Sequence, residues 1–356
     1  MTVDRHVLVT GATGFLGSHL VRELLARGYR VRGTVRSTAR TAAYAHLIGL
    51  PGASYGLDLV EADLTEPDSF VDAMAGITDV MHAASPYILD TADPQRDLVD
   101  PAVNGTLAVL DACARAGTVR RMVLTSSVAA ITDQPDSTHV LTEADWNTSS
   151  TLRRNPYYLS KAAAERAAWD FMGQAGRGFD LVSVNPFLNI GPELGPGVNT
   201  SNQILVDLTA GAYPAILALA WGFVDVRDVA VAHALAMETP DASGRYLCAG
   251  EVLTMREVIG VMREHLPLSV RLPSRPMDNA IGTAVAKAAS WFQPDGAGSY
   301  LRTHLGRVPQ YDTARIRSEL GMTFRPVRES VADTVIDLVS RGKIAVPDDG
   351  VTRAGG

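Results

Sequence analysis

A tyrosine and a lysine four residues apart, Tyr157 and Lys161, are the first pair whose types and spacing predict chemistry. Residues at this spacing are neighbours on one face of a helix, so the ammonium can lie beside the phenol. At about 4 Å and an effective dielectric constant of about 20, its attraction to a phenolate is about 4 kcal/mol, which lowers the tyrosine pKa by at most about three units. Such a tyrosine can act as a general acid or base near neutral pH. The same spacing also occurs in ordinary surface pairs.

A second group of candidates is the hydroxyl run Thr125, Ser126 and Ser127, which comes at the end of a predicted strand. In an open parallel sheet, ligands bind beyond the carboxyl ends of the strands, so a hydroxyl at this place faces the binding crevice. We expect Ser127 to donate a hydrogen bond to a substrate carbonyl oxygen. The alternative is that its hydroxyl only caps a helix or a turn.

Three glycines near the amino terminus, Gly11, Gly14 and Gly17, lie in the segment TGATGFLG between a predicted strand and a predicted helix. Glycines at such a turn let the backbone approach a pyrophosphate, and the helix N-terminus offers free N–H groups with a partial positive charge. The strand before and the helix after are the context that a dinucleotide-binding motif requires. A tight turn without a ligand is the alternative.

The end of the second predicted strand indicates which dinucleotide binds. A carboxylate about 20 residues after the glycines accepts hydrogen bonds from a ribose 2′-hydroxyl, whereas an arginine there suits a 2′-phosphate. Arg36 occupies this place, Arg32 and Arg40 are nearby, and the next acid along the chain is Asp58. A guanidinium stays charged and pairs with phosphate through two hydrogen bonds. NADPH or NADP is therefore favoured over NAD, and a solvated basic strand end is the alternative.

The scaffold for these groups follows from short β-branched runs that alternate with helical patterns. This alternation predicts an α/β fold with a Rossmann-type, doubly wound parallel sheet. Strands are predicted at residues 6–10, 29–36, 57–62, 79–83, 121–125 and 180–184. Helices are predicted at residues 15–27, 68–75, 104–116 and 160–173. A helix at 224–237, a strand at 245–248 and a last helix at 330–341 complete the prediction.

Two domains are expected from where this alternation stops. An NADP-binding Rossmann domain spans residues 1–186, and residues 223–250 return to its sheet. Residues 187–222 and 251–346 form a smaller, mostly helical C-terminal substrate-binding domain, with turn-forming residues that predict loops around a site. Residues 347–356 form a flexible tail.

Composition and charge exclude several classes of function. The 356 residues carry a net charge of −7, with 46% hydrophobic and 20% charged residues, which is typical of a globular protein. This acidity argues against nucleic acid or an anionic membrane as the main partner. The two cysteines, Cys113 and Cys248, cannot form a disulfide framework, which suggests a reducing compartment. Neither a secretory signal nor a membrane span is visible in the sequence. We therefore expect a cytoplasmic protein. The histidines lack ligand spacing, so no metal site is expected.

Along the chain the glycine turn is followed by Arg36, then Ser127, then Tyr157 and Lys161. In this order of residues the chain resembles an extended short-chain dehydrogenase/reductase. It most resembles the dihydroflavonol-4-reductase-like branch, which also holds cinnamoyl-CoA reductases and microbial aldehyde and ketone (carbonyl) reductases. The resemblance runs from TGATGFLG to LGMTFRP. It is densest in GYRVRGTVRS, ADLTEPDSF, MHAASP, VRRMVLTSSV, YYLSK, NPFLNIGP and FVDVRDVAVAHALAME.

The resemblance implies roles for individual residues. Ser127 would polarise the substrate oxygen, and Tyr157 would donate the proton. Lys161 would bind the nicotinamide ribose and lower the tyrosine pKa. Asn104 would match the family's catalytic asparagine, unless it merely caps its own helix. The implied cofactor-binding residues are Thr10, Gly11, Thr13, Gly14, Phe15, Leu16, Gly17, Arg36, Asp63, Leu64, Ala83, Ala84, Ser85, Thr125, Ser126, Tyr157, Lys161, Pro186 and Phe187. The expected substrate pocket contains Pro86, Tyr87, Ala129, Thr132, Leu188 and Asn189.

The predicted function is the reversible, NADPH-dependent reduction of an aldehyde or ketone, with a hydrophobic or aromatic small-molecule substrate and a monomer or homodimer as the assembly. Thr132 stands where plant dihydroflavonol reductases have an asparagine, and Asn155-Pro156 replaces part of the NWYCYGK-type signature of cinnamoyl-CoA reductases. These departures disfavour flavonoid and CoA-ester substrates. The alternatives are an NAD-dependent sugar-nucleotide epimerase or dehydratase of the same fold, and a non-catalytic NADP-binding sensor or scaffold.

Overall fold

The computed structural model describes residues 5–85, 91–135, 137–174, 176–293 and 295–347. The first half of the chain alternates strands with helices. Its strands are β1 (His6–Thr10), β2 (Arg30–Val35), β3 (Leu57–Glu61), β4 (Asp79–His82), β5 (Arg121–Thr125) and β6 (Asp180–Pro186). Its main helices are α1 (Phe15–Ala26), α2 (Ser69–Ala73), α3 (Asp100–Ala116) and α4 (Pro156–Met172). Short helical pieces lie at Thr41–Tyr44, Ala45–Ile48, Ala53–Gly56, Gln95–Val99 and Val128–Ala130.

The second half contains shorter strands and more helices. Its strands are β7 (Leu188–Ile190), β8 (Ala220–Asp225), β9 (Gly244–Cys248) and β10 (Glu251–Thr254). Its helices are α5 (Thr200–Ala210), α6 (Val226–Glu238), α7 (Met255–His265), α8 (Ala280–Ala289), α9 (Asp295–His304), α10 (Ala314–Leu320) and α11 (Val327–Ser340). Three two-residue strands and one short helix complete it: Ile216–Leu217, Pro276–Met277, Gln310–Tyr311 and Ser290–Phe292. A further two-residue strand, Val140–Leu141, lies in the first half, between β5 and α4.

In the described part of the chain, the large sheet has seven strands in the order β9-β6-β5-β4-β1-β2-β3, and every neighbouring pair is parallel. Val7 and Val9 of β1 pack into a core with α1 and α6, whereas Leu8 packs into a separate core with α2 and α3. Successive side chains of a strand point to opposite faces, so helices cover both faces of this sheet. The predicted Rossmann-type, doubly wound fold is confirmed.

The position of the crevice follows from the strand order. After β1 the chain builds β2 and β3 on one side of it and then crosses to β4 on the other side. Ligands of open α/β sheets bind at the carboxyl ends of the strands where such a reversal occurs. The residue pairs Thr10 with His82 and His82 with Leu124 bring the ends of β1, β4 and β5 to one edge. The glycine turn and the 83–85 and 126–127 segments therefore share this edge.

The C-terminal part contains a sheet that the sequence analysis did not anticipate. β8 pairs in parallel with β7 and antiparallel with β10, and its core includes residues of α5, α7 and α11. The predicted helix at 224–237 is wrong at its first two positions, since α6 begins at Val226. All six residues of β8 are buried. A continuous buried run lacks the period-2 alternation that identifies a strand, so it cannot be told from a buried helix by pattern alone.

Two of the helices that carry predicted site residues begin earlier than predicted. α4 begins at Pro156 instead of residue 160, and α3 begins at Asp100 instead of residue 104. Both have a proline in the first turn, where its missing N–H costs nothing and its fixed φ suits the helix. Asn104 therefore lies inside α3, and the alternative that it caps its own helix is wrong. Tyr157 lies in the first turn of α4, directly above the crevice edge.

Gly17 of α1 is predicted to be the least replaceable of the turn glycines. A Cβ atom at this position would lie 2.0 Å from the Gly11 carbonyl oxygen. Gly17→Ala should therefore lower the free energy of unfolding by more than about 2 kcal/mol, because helix and turn must separate.

Gly260, in the exposed middle of α7, has open space around its Cβ position and serves as control. Gly260→Ala should stabilise by up to about 1 kcal/mol. Urea unfolding measures both, and a Gly17→Ala protein as stable as the wild type would contradict this packing.

Candidate active site

The turn after β1 is shaped as a cradle. Gly11 has φ +66°, and a Cβ there would lie 3.0 Å from the Ala84 Cα. Gly14 precedes α1, and no side chain of the described residues caps this helix N-terminus. Its first N–H groups are therefore available to a phosphate, and the missing Cβ atoms leave room for its approach. Thr13 and Gly14 are exposed at the opening. Gly33 of β2, which the sequence analysis did not single out, lets Ala12 pack closely against that strand.

Thr10 joins the two strand ends beneath this cradle. The Ala84 N–H donates to the Thr10 Oγ1 at 3.0 Å, and that hydroxyl lies 2.8 Å from Nδ1 of His82. Burial and the positive charge of Lys161 lower the pKa of His82 to about 3, so the ring is neutral and its Nδ1 can accept from Thr10. Thr10 is fully buried. Its hydroxyl positions the 83–85 segment, and its predicted contact with the cofactor stays a prediction.

Arg36 stands exposed at the outer end of β2. Its side chain is 88% exposed, and its Nε lies 3.9 Å from the Asp63 carboxylate. The backbone N–H and the hydroxyl of Thr65 bind this carboxylate and, with Arg36, hold the Asp63 pKa below its ordinary value. Leu64 packs against α3, where a side chain at Gly105 would meet it. A guanidinium at this exposed place can turn toward a 2′-phosphate at little cost. Nearby Arg32 is different, since it donates to Asp58 and to the carbonyls of 73 and 75.

Lys161 meets Tyr157 and Ser85 at the centre of the crevice edge. Its Nζ donates to the Ser85 Oγ at 2.9 Å and lies 5.7 Å from the centroid of the Tyr157 ring. Burial lowers the pKa of Lys161 to about 8. The structure thus brings Ser85, which follows β4, to the Tyr157 and Lys161 pair of α4. A phenol beside an ammonium is an arrangement for proton transfer.

Ser127 lies at the end of the neighbouring strand β5. Its Oγ accepts the Ala129 N–H at 3.1 Å and so caps the short helix Val128–Ala130. The capping role, considered as an alternative, is therefore present. It leaves the hydroxyl proton of Ser127 available, so the same group can cap the turn and donate to a ligand oxygen. α4 packs against this turn, which places Ser127 and the start of α4 on one side of the crevice.

Two other hydroxyls of the same run point into the protein. Thr125 Oγ1 lies 2.7 Å from Nε2 of His233, and Ser126 Oγ donates to the buried Glu165 at 2.6 Å. Any contact of these predicted cofactor-binding residues with a dinucleotide would come from their backbone atoms. Asn104 is exposed on α3. Its predicted catalytic role stays a prediction.

A cleft of about 50 Å³ opens beside these groups, and aromatic side chains form much of its wall. Predicted residues Thr132, Phe187 and Leu188 line it, with Val128, Pro135, Tyr158, Ala220, Trp221, Gly222, Tyr300, His304, Pro309 and Tyr311. The Phe187 and Tyr311 rings lie 3.9 Å apart, and a Cβ at Gly222 would come within 3.0 Å of both rings.

Several cleft residues were missed by the sequence analysis. Tyr158 could have been predicted, because it directly follows the candidate Tyr157 in the sequence. Tyr300, His304 and Tyr311 come from a distant segment that contains no motif. Tyr300 stacks on His304 at 3.9 Å, and burial lowers the pKa of His304 to about 4, so this wall is uncharged at neutral pH. Predicted Ala129 is buried and Asn189 is half-buried, and neither lines the cleft. Pro86 and Tyr87 lie outside the described residues.

Pro186 ends β6, directly before the cleft residue Phe187, and the predicted contact of these two residues with the nicotinamide stays a prediction. Within the ranges that the structure describes, no group of three His, Cys, Asp or Glu side chains could hold a metal ion. In the same ranges, no helix combines the length and apolarity needed to cross a membrane.

Comparison with known proteins agrees with this geometry. Residues 7–249 match the model of the NAD dependent epimerase/dehydratase family. The chain is 37% identical over 338 residues to cinnamoyl-CoA reductase CAD2 of Medicago truncatula, which covers 93% of this chain and 95% of the relative. It is 36% identical over 268 residues to dihydroflavonol 4-reductase of Hordeum vulgare, with 73% and 75% covered.

Among solved structures, Gre2 from Candida albicans in complex with NADPH is similar, with a TM-score of 0.79 at 31% identity, over 95% of this chain and 99% of that chain. The family model spans well over half of the sequence, and the reductase relatives extend over most of it. The chain therefore belongs to the NAD dependent epimerase/dehydratase family, the extended short-chain dehydrogenases/reductases.

Proposed function

We propose that this protein uses NADPH to reduce the carbonyl group of an aldehyde or ketone with an apolar or aromatic body, reversibly, and that Tyr157 is the general acid. The coarser part follows from its relatives: the chain is an NADPH-dependent reductase of the extended short-chain dehydrogenase/reductase family. The observation that carries the finer part is the contact of Lys161 with Ser85 and Tyr157 beside an aromatic cleft.

The residues present fit a bound dinucleotide. The cradle at Gly11 and Gly14, with the uncapped N-terminus of α1, has room and N–H donors for a pyrophosphate, and the Arg36 guanidinium can bind the 2′-phosphate. Asp63 and Leu64 would border the adenine. The 83–85 segment would follow the ribose and pyrophosphate, and Pro186 and Phe187 would pack by the nicotinamide.

When bound, NADPH supplies the hydride, and the protein supplies orientation and charge stabilisation. Ser127 donates a hydrogen bond to the carbonyl oxygen, which polarises it. Tyr157 donates its proton to the same oxygen as negative charge develops there. The Lys161 ammonium stabilises the resulting phenolate and binds the ribose hydroxyls. The uncharged aromatic wall holds the rest of the substrate and excludes water.

A cofactor-depletion screen tests this function. NADPH oxidation is followed with aldehydes, diketones and aryl ketones, and the series is repeated with NADH. Turnover with NADPH and an apolar or aromatic carbonyl is the expected result. Purified protein that retains bound NAD and recycles it on a nucleotide sugar, or that binds NADPH without oxidising it for any carbonyl, would contradict the proposal. Light scattering of the same sample separates a monomer from a homodimer.

Arg36 should decide the preference between the two cofactors. Arg36→Ala should raise the KM for NADPH by about 10- to 100-fold, since a charge-assisted contact to phosphate contributes about 1.5–3 kcal/mol. The KM for NADH should stay within about twofold, because NADH has no 2′-phosphate. Arg30→Ala removes an exposed arginine at the opposite end of β2 and serves as the control. An equal change for both cofactors would show that Arg36 does not read the 2′-phosphate.

A further inference from the structure

Glu165 is a buried carboxylate that the proposed chemistry does not use. It lies on α4, four residues after Lys161 and eight after Tyr157, and it is 1% exposed. Residues at this spacing lie along one face of a helix. Burying a carboxylate is costly unless it is paired and fully hydrogen-bonded, so its contacts indicate what the fold requires of it.

Both carboxylate oxygens of Glu165 are surrounded by donors. Oε1 accepts from Arg245 Nε at 2.8 Å and from Ser183 Oγ at 2.7 Å. Oε2 accepts from Ser126 Oγ at 2.6 Å and from Asn185 Nδ2 at 2.8 Å. Burial by itself raises the Glu165 pKa, but Arg245 and the hydroxyl donors outweigh it and bring the pKa below its ordinary value, so the group is ionised at neutral pH. The carboxylate ties α4 to the ends of β5, β6 and β9.

These contacts converge on the backbone of Ser127. Ser126 precedes it directly, and Asn185 Nδ2 donates both to Glu165 and, at 3.3 Å, to the Ser127 carbonyl oxygen. On the other side, Arg245 binds the carbonyl oxygens of 143 and 145 at 2.8 and 2.6 Å. The same loop continues to Asn147, whose Nδ2 donates to the carbonyl oxygen of Ala129, the residue that Ser127 caps.

We propose that Glu165 is a positioning residue: it fixes the Ser127 hydroxyl relative to Tyr157 and Lys161 through Ser126, Asn185 and Arg245. This inference rests on the proposed function, since it needs Ser127 to act on the carbonyl. The helix that carries the proton donor and the strand end that carries the polarising hydroxyl are separate elements. The ionised Glu165 carboxylate connects α4 to the end of β5. The distance between Tyr157 and Ser127 therefore does not depend on the short helix Val128–Ala130 alone.

A double-mutant cycle tests the coupling. Glu165→Gln places an amide opposite Arg245 and the three donors, so Ser127 loses its fixed position. We expect kcat to fall by about tenfold or more while the Kd for NADPH, measured by fluorescence, changes by less than about twofold. Ser127→Ala should also lower kcat. In the Ser127→Ala background, Glu165→Gln should add little further loss, because the group that Glu165 positions is already gone.

Trp169→Phe is the matched control. It removes another donor to Glu165, the indole N–H at 3.3 Å, on the side away from Ser127, and should leave kcat within about twofold. If Glu165→Gln does not fold, Asn185→Ala takes its place in the same cycle, because Asn185 donates both to Glu165 and to the Ser127 carbonyl oxygen. An unchanged kcat, or losses that multiply in the double variant, would overturn the inference while the proposed function stands. A Ser127→Ala enzyme with wild-type kcat would instead overturn the role proposed for Ser127 itself.

Discussion

Replacing Tyr157 with phenylalanine should lower kcat for carbonyl reduction by about 10²- to 10⁴-fold, the range attributed to a general acid. The substitution removes one oxygen atom and leaves a ring of the same shape in the first turn of α4. The Kd for NADPH should therefore stay close to that of the wild type, and the loss should fall on kcat. Stopped-flow turnover and a fluorescence titration with NADPH measure the two quantities separately.

The control for this variant is Tyr55→Phe, which removes the hydroxyl of a tyrosine that is 86% exposed on the short helix Ala53–Gly56. It should behave as the wild type in both assays. A Tyr157→Phe enzyme that retains wild-type turnover would show that the proton comes from elsewhere, and the mechanism proposed here would fail.

Lys161→Met should have the second largest effect, since in the proposed mechanism it removes both the ammonium that would stabilise the phenolate and a group that would hold the nicotinamide ribose. We expect kcat/KM for NADPH to fall by about 10²-fold or more, through both kcat and KM. Lys343→Met, at an exposed position after α11, is the control and should change neither.

Lys161 also predicts the pH dependence. Burial lowers its pKa to about 8, so the cofactor-free protein loses the ammonium as the pH rises through about 8. In the proposed mechanism, reduction needs Lys161 charged and Tyr157 protonated, and kcat/KM reports the ionisation of the free enzyme. The wild-type kcat/KM for NADPH should be level below about pH 8 and should decrease above it. In Lys161→Met this decrease near pH 8 should be absent; the same decrease in both proteins would assign it to another group.

The sheet and the glycine turn could be predicted because their signals are local. Strand β1 and helix α1 follow from a β-branched run and from leucines at helical spacing, and a tight turn between them needs glycine at fixed places. The Tyr157 and Lys161 pair was also predictable, since neighbours on a helix depend on the spacing alone. These are the parts of the site whose geometry is set within about 20 residues of chain.

The cleft wall and the Glu165 network could not be predicted in the same way. Tyr300, His304 and Tyr311 come to the cleft through contacts across more than a hundred residues of chain: the His304 ring meets Tyr158 of α4, and the Tyr311 ring meets Phe187. Glu165 appears in the sequence as an ordinary helix residue. Its role depends on Arg245, 80 residues later in the chain.

The small errors have local physical causes. Asn155 adopts a left-handed conformation with φ 51°, and Pro156 then begins α4. A residue pair that commonly ends a helix or strand therefore starts the helix that carries the proposed proton donor. β8 was missed because a fully buried strand shows no alternation of polar and apolar residues. Both errors lie next to the proposed site, where the chain changes direction to form the cleft.

The structure of a ternary complex with NADP and an unreactive analogue of the carbonyl substrate tests the proposed proton transfer most directly. In this complex the Tyr157 hydroxyl should lie within about 3 Å of the analogue's oxygen, and the reacting carbon should face the nicotinamide at about 3–3.5 Å. Lys161 Nζ should contact the nicotinamide ribose, and Ser127 Oγ should donate to the same oxygen as Tyr157. A complex with the Tyr157 hydroxyl far from the nicotinamide and Lys161 turned to solvent would show that Tyr157 is not the proton donor.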